Sequence, residues 1–353
     1  MPGFERPIES MKAGVQERKI VIAGSGESFV QRGMDHSLLQ AALRSGIGFP
    51  YECSSGGCGS CRFKLVSGEV DILSEDAPGL TDRDRRKGVM LACQTRALSD
   101  LEIQVATRPG CCPIITPRCF DVELASIVQV TRDMGLFTFK SRTLAAFLPG
   151  QYTILEEPGG LRRCYSMSNL PNDDGVWEFI VKKVPGGKFT EALFSLRPGA
   201  SLTFDGPYGL AYVQTESTRD VLCIAGGSGL APILSIARAL ARDPAQSTKQ
   251  IHIFYGGRTA HDICCEPYLD DLPGWRERIF FHPVVSEPSD PLSAGWSGDT
   301  GFVHESVVWR LGPTLRDFDI YFAGPPPMAT ALQRVLMIDH KVPFEQIHFD
   351  RFF

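Results

Sequence analysis

Three cysteines fall within the eleven residues YECSSGGCGSC, positions 51–61, and the residues between them are almost all glycine and serine. Close thiols suit zinc, an iron–sulfur cluster or a disulfide. The spacing is Cys53-x4-Cys58-x2-Cys61, and the next cysteine, Cys93, lies far along the chain in LACQT. Structural zinc sites are usually built from two close pairs of ligands. Three ligands in one loop with a distant fourth is instead the spacing of a [2Fe–2S] cluster. Gly56, Gly57 and Gly59 then have a use. Without side chains the backbone wraps closely around a compact inorganic core and turns its N–H groups toward sulfur.

A second chemical signal is GGSGLAP, residues 226–232, which follows the apolar run DVLCIA and opens a helical pattern. The backbone at Gly226, Gly227 and Gly229 can approach a pyrophosphate, and the helix N-terminus favours its charge. This is a partial match to the dinucleotide fingerprint. A third is VPGGKFTEAL, residues 184–193, where Gly186 and Gly187 precede a helix at Lys188, Phe189 and Thr190. That is again an anion-binding helix start, though glycines alone also mark an ordinary tight turn.

Three segments must position these groups. Residues 18–107 carry short strand patterns, a helix candidate at 36–46 and the cysteine loop. Asp35 reads as that helix's cap and Gly46 as its stop. RFKLVSGEVDI, residues 62–72, reads as hairpin strand. Residues 108–117 are rich in proline and glycine and read as a linker. Residues 118–215 hold short alternating stretches separated by turns, which predicts an antiparallel barrel or sandwich with one helix near 188–196. Residues 216–353 alternate strand, glycine turn and helix, the rhythm of a doubly wound parallel sheet.

The chain has 353 residues, enough for two or three domains. A net charge of −5 argues against a general nucleic-acid binder. No apolar run is long enough to span a membrane. Residues 1–17 form a polar lead-in without the apolar core of a secretion signal, so a cytoplasmic protein is expected. Eleven cysteines in such a chain predict reduced thiols or metal ligation. Cys111, Cys112, Cys119, Cys164, Cys223, Cys264 and Cys265 read as packing residues.

Residues 19–107 resemble a plant-type ferredoxin domain, which implies a β-grasp fold and cluster ligands at Cys53, Cys58, Cys61 and Cys93. Arg163-x-Tyr165-Ser166, within RRCYSMSN, resembles the R-x-Y-[ST] signature of the ferredoxin–NADP+ reductase superfamily. The resemblance implies an FAD site. Arg163 pairs with the pyrophosphate, Tyr165 faces the isoalloxazine, and Ser166 hydrogen-bonds the ring nitrogen that receives hydride. Gly186, Gly187, Lys188 and Thr190 match the family's pyrophosphate turn, and DGPYG, residues 205–209, resembles the loop that closes its barrel. AGPPPM, residues 323–328, resembles the element beside the nicotinamide, with Gly324 and Pro325 in place and Ala323 where the family usually has cysteine. The family's near-terminal aromatic falls on Phe352, with Phe353 as second choice.

The chain past residue 18 resembles the reductase components of bacterial multicomponent aromatic oxygenases. GIGFPYEC, DAPGL, LACQ, DGPYGL and KVPFEQIHFDRFF carry that likeness. It extends to reductases serving diiron monooxygenases and to those serving Rieske dioxygenases. The implied route runs from NADH to FAD, to the [2Fe–2S] cluster, and on to an oxygenase or an intermediate ferredoxin. The same architecture also implies two alternatives, a reductase feeding a deoxysugar dehydratase and a redox-sensing or electron-carrier module. After IHIFYGG, Arg258 is followed by Asp262 and Glu266, acidic neighbours that favour NADH over NADPH. This chemistry needs no general base, so no catalytic role falls to a histidine.

Overall fold

The computed structural model describes residues 17–351. It divides into two compact units, Met1–Thr116 and Pro117–Phe353.

In the first unit, β1 (Arg18–Ile22) and β2 (Ser28–Gln31) form an antiparallel pair, and α1 (Leu38–Arg44) follows. After the cysteine loop come β3 (Arg62–Ser67), β4 (Val70–Ile72), α2 (Asp82–Arg86), β5 (Val89–Leu91), β6 (Thr95–Ala97) and β7 (Leu101–Gln104). The main sheet has the order β2-β1-β7-β3-β5, with β1 and β7 parallel. One mixed sheet with a helix laid on it is the β-grasp arrangement. Every residue of α1 from Leu38 to Leu43 is buried, and Gly46, at φ +75°, stops it.

Several local expectations change. Ser37, not Asp35, occupies the N-cap of α1. Asp35 is buried, accepts from the Arg32 N–H at 2.7 Å, and pairs with Arg44 in the helix's last turn. A buried carboxylate needs a cation more than a helix start needs a cap. Residues 62–72 are not one hairpin. β3 joins the main sheet, whereas β4 pairs with β6 in a separate ribbon. The expected linker also starts late, since the Arg108 N–H donates to the Gly48 carbonyl at 2.7 Å and Cys111 is buried.

The second unit opens with six antiparallel strands. They are β8 (Arg118–Thr131), β9 (Met134–Ser141), β10 (Tyr152–Glu156), β11 (Arg162–Ser166), β12 (Val176–Lys182) and, after α3 (Lys188–Ser195), β13 (Ser201–Tyr208). Their order is β11-β10-β13-β8-β9-β12. The two outer strands meet just beyond β11, where the Ser168 N–H donates to the Glu178 carbonyl at 2.8 Å, closing the barrel. Inside lie Phe137, Phe139, Phe147, Trp177, Phe179 and Phe204, with Phe189 and Leu193 of α3 capping one end. DGPYG is largely strand rather than loop, because Asp205 turns inward to Arg162 at 2.9 Å and to the Tyr208 hydroxyl at 2.7 Å.

The chain then forms β14 (Asp220–Gly226), α4 (Leu230–Arg242), β15 (Ile251–Gly257), β16 (Ile279–Val285), β17 (Asp299–Thr300), α5 (Val303–Leu311), β18 (Phe318–Gly324), α6 (Pro326–Gln333) and β19 (Ile347–Arg351). The sheet is wholly parallel, in the order β17-β16-β15-β14-β18-β19. Alternate residues of β14 feed opposite faces. Val221, Cys223 and Ala225 pack with α4, whereas Leu222 and Ile224 pack with residues of α5 and α6. That two-sided burial is why DVLCIA reads as one apolar run. The chain order reverses between β14 and β18, which makes that crevice the topological switch point.

Neighbouring strands β15 and β16 hold a histidine pair, with His252 Nδ1 and His282 Nε2 3.1 Å apart. Burial holds both rings below their ordinary value of 6.5, and His282, also facing His252 and Arg310, is lowered to about 4. Asp220 opposes the shift at His252 and Asp299 opposes it at His282. The unfolded chain therefore takes up protons that the folded chain refuses. The contribution is complete above pH about 6.5 and is lost as pH falls toward 4. The thermal midpoint should drop between pH 7 and pH 5, and drop less in His282→Gln. Equal drops in both proteins would remove this pair as the cause.

Candidate functional site

In the first unit the cysteine loop lies between α1 and β3. Cys53, Cys61 and Cys93 are buried and Cys58 is half-buried. The thiols interact two by two, Cys53 with Cys58 and Cys61 with Cys93. Among the described residues no three such side chains converge as a single-ion site requires. Backbone N–H groups of Ser55 and Cys58 donate to Cys53 Sγ at 3.5 and 3.3 Å, and that of Ser60 to Cys58 Sγ at 3.4 Å. Hydrogen bonding from Cys58, then Ser55, holds the Cys53 thiol down at about 5 against the opposing effect of burial. Two pairs of soft donors with N–H groups aimed at sulfur fit a two-metal cluster.

Backbone conformation makes the loop possible. Gly56 and Gly59 adopt φ +86° and +74°, and Ser54 is also left-handed at +51°. A β-carbon on Gly59 would come within 2.5 Å of the Gly79 carbonyl oxygen. The Gly79 N–H in turn donates to the Gly56 carbonyl at 2.9 Å. Residues 77–79 thus form a floor under the loop, a role their composition alone does not mark.

In the second unit, Arg163 and Tyr165 alternate with Arg162 and Cys164 along β11, so they share one face. Arg162 turns to Asp205 and to Glu156 at 3.3 Å. Arg163 is exposed, with one N–H on the Arg162 carbonyl at 2.7 Å. The Tyr165 ring lies 5.6 Å from that of Phe189, centroid to centroid, so β11 is joined to the first turn of α3. Burial pushes the Tyr165 phenol up, which keeps it neutral. Ser166 is buried at the strand's end.

The turn before α3 has Gly186 at φ +71° and Gly187 at the N-cap, with Lys188 exposed. Thr190 is buried. Its hydroxyl accepts from the Val184 N–H at 3.2 Å and reaches the Gly187 carbonyl at 3.0 Å. It shapes the turn, and Phe189 supports Tyr165 from beneath. The arrangement offers a cation, an aromatic face and a helix N-terminus together, the donor set that a dinucleotide with a flat ring requires.

At the switch point, β14 ends at Gly226 and turns through Gly227 and Gly229 into α4, while β18 ends at Gly324 and Pro325 caps α6. A β-carbon on Gly229 would overlap the Ala323 carbonyl, and one on Gly226 would lie 2.8 Å from Met328 Sδ. Gly227, at φ +55°, offers its carbonyl to the Tyr255 hydroxyl at 3.3 Å. Nothing in the motif spacing points to Tyr255, which arrives from the neighbouring strand. The backbone of β19 pairs with β18 as far as Arg351 opposite Gly324. Phe352 and Phe353 lie outside the described residues.

Three family models match these bodies. A 2Fe-2S iron–sulfur cluster binding domain covers residues 20–98, an oxidoreductase FAD-binding domain 121–212, and an oxidoreductase NAD-binding domain 223–334. The chain is 43% identical to the ferredoxin–NAD(P)+ reductase CarAd of Metapseudomonas resinovorans, over 91% of this chain and 96% of that one. It is 38% identical to the ferredoxin–NAD+ reductase component of the alkene monooxygenase system of Xanthobacter autotrophicus, over 93% and 98%. The solved ferredoxin reductase in carbazole 1,9a-dioxygenase superposes with a TM-score of 0.86 at 37% identity, over 96% of this chain and 99% of that one.

The chain belongs to the ferredoxin–NAD(P)+ reductases of multicomponent oxygenase systems. It is an oxidoreductase with FAD, NAD and [2Fe–2S] domains. Among its described residues no helix is long and apolar enough to cross a membrane.

Other expectations fare differently in this reductase. Cys111, Cys223 and Cys265 are buried packing residues, and Cys164 and Cys264 are half-buried. Cys112 and Cys119, however, are exposed. The acidic pair after β15 is engaged elsewhere. Asp262 is buried and accepts from the Thr259 N–H at 2.9 Å, and Glu266 pairs with Arg276 at 2.7 Å. Arg258 is exposed.

The Gly229 contact is with backbone, which cannot rotate aside. Gly229→Ala should cost about 1–3 kcal/mol of stability and weaken NADH binding at least about tenfold. Gly110→Ala, where an added carbon meets open space, should stay within about 0.5 kcal/mol. Denaturant unfolding and NADH titration measure both, and equal effects would contradict the close-approach argument.

Proposed function

We propose that this reductase takes hydride from NADH and delivers electrons singly to a cytoplasmic oxygenase component, or to an intermediate ferredoxin, of an aromatic-hydrocarbon system. The observation that carries the reading is the pairing of a dinucleotide crevice in one unit with four thiols set two by two in the other. When bound, FAD supplies the exchange between a two-electron donor and a one-electron cluster.

The residues serve binding and orientation. Arg163, Lys188 and the turn at Gly186 and Gly187 hold the FAD pyrophosphate, with Thr190 fixing that turn. Tyr165 presents its ring to the isoalloxazine and Ser166 donates to its edge. Gly226, Gly227 and Gly229 cradle the NADH pyrophosphate at the start of α4, and Gly324 and Pro325 flank the nicotinamide. Backbone pairing of Arg351 with Gly324 supports Phe352 as the covering aromatic and Phe353 as its alternative. Cys53, Cys58, Cys61 and Cys93 ligate the cluster. The functional bodies divide near residues 117 and 215.

Cys93→Ser replaces a soft donor with a hard one and should lose the cluster while the second unit stays folded. Ferricyanide, a small oxidant, should then be reduced within about twofold of the wild-type rate, and cytochrome c at least about tenfold more slowly. Full retention with both acceptors would place the cluster off the proposed exit route, and matching losses would show that the flavin site depends on the cluster domain or that electrons do not run in this order.

NADH should exceed NADPH in kcat/KM by at least about tenfold, about 1.4 kcal/mol in transition-state terms. With Asp262 and Glu266 engaged, the residual use of NADPH depends on Arg258. Arg258→Ala should lower efficiency with NADPH and leave NADH within about twofold. Equal changes with both nucleotides would show that Arg258 does not meet the 2′-phosphate.

A further inference from the structure

Helix α4 begins at the glycine turn and runs back toward the barrel. Its apolar face shares one cluster with Met134 of β9 and Ile180 of β12. Apolar contact is non-directional, so it holds the two bodies together without fixing their register. Two polar contacts do fix it. Ser235, fully buried, donates its hydroxyl to the Asn169 carbonyl at 2.7 Å. Arg238, three residues on and on the same face, donates to the Ser168 carbonyl at 2.9 Å and lies 3.8 Å from Glu178.

The receiving segment is itself immobilised. Asn169 Oδ1 accepts from the Glu178 N–H at 3.1 Å, and Asn169 Nδ2 donates to the Val176 carbonyl at 2.7 Å. Ser168 and Asn169 follow the Arg163-x-Tyr165-Ser166 strand after Met167 alone, and Ser235 lies in the second turn of the helix that starts after 226–229. Two hydrogen bonds therefore connect the helix that starts at the nucleotide turn to the strand that carries the flavin residues, through very little intervening chain.

We infer that Ser235 and Arg238 are positioning residues for hydride transfer, fixing the nucleotide turn against the flavin strand. The inference rests on the assignment of those two elements to NADH and FAD. Transfer between rings is steep in distance and orientation, and a displacement near one ångström is enough to slow it greatly. Neither side chain needs to touch a cofactor to have this effect.

Anaerobic stopped-flow mixing with NADH separates the limiting rate of flavin bleaching from the NADH dissociation constant. Ser235→Ala and Arg238→Met should each lower the limiting rate at least about tenfold, with flavin content and NADH affinity within about twofold. Arg238→Lys, which keeps a cationic donor, should recover most of the rate. Hydrogen exchange in residues 167–172 should quicken in the first two variants and not in the lysine variant. An unchanged limiting rate in variants that retain flavin would overturn the positioning role. So would a fall explained wholly by lost flavin, since the contacts would then serve only the barrel. Wild-type protein that holds no flavin, or does not bleach with NADH, would overturn the underlying site assignment and this inference with it.

Discussion

No side chain fits between Gly229 and the carbonyl of Ala323. That exclusion lets β14 and β18 run side by side to their ends and brings the turns at 226–229 and 324–325 into one crevice. Because the chain order reverses at this pair of strands, no crossover helix covers the crevice. The start of α4 is fixed by the same contact, and so is its line toward the barrel. A larger residue at position 229 would push against the backbone of Ala323 and Gly324.

At the cysteine loop and the glycine turns it is backbone N–H groups that face outward to a negative group. In the first unit, N–H groups of Ser55, Cys58 and Ser60 point at cysteine sulfur. In the second, the N-termini of α3 and α4 follow the glycine turns at 186–187 and 226–229. Such donors are preorganised and need no side-chain ordering on binding. Glycine serves most of the places where the chain turns left-handed or passes close to its neighbour, as at Gly56, Gly59 and Gly227. Side-chain charges are mainly used elsewhere. Asp35 with Arg44 and Asp205 with Arg162 are buried pairs whose loss of one partner would strand a charge.

The pair at Arg162 also has a functional consequence. By drawing Arg162 to one side of β11, Asp205 sets the strand's alternation and leaves Arg163 and Tyr165 on the other. A slip of one residue would exchange the two arginines. On the proposed site assignment, Asp205 therefore helps decide which guanidinium faces the cofactor, from 43 residues away and without belonging to the motif.

The features legible in the sequence are those set within a few residues. Cysteine spacing is limited by the loop that wraps a cluster, glycines report turns, and alternation reports which strand faces are buried. From these came the sequence of three bodies that the family models match, and the cysteine loop and glycine turns on which the proposed sites rest. What only the tertiary structure decided depends on partners far away along the chain. Nothing near Arg162 announced Asp205, which lies 43 residues on and reaches it only when the barrel closes. Ser235 and Arg238 carried no signal, because the carbonyls they hold are distant in sequence. Covalent geometry governs the short range, so spacing is informative there. At long range a polar side chain takes whichever partner the packed core delivers, and that choice is not made until the elements meet.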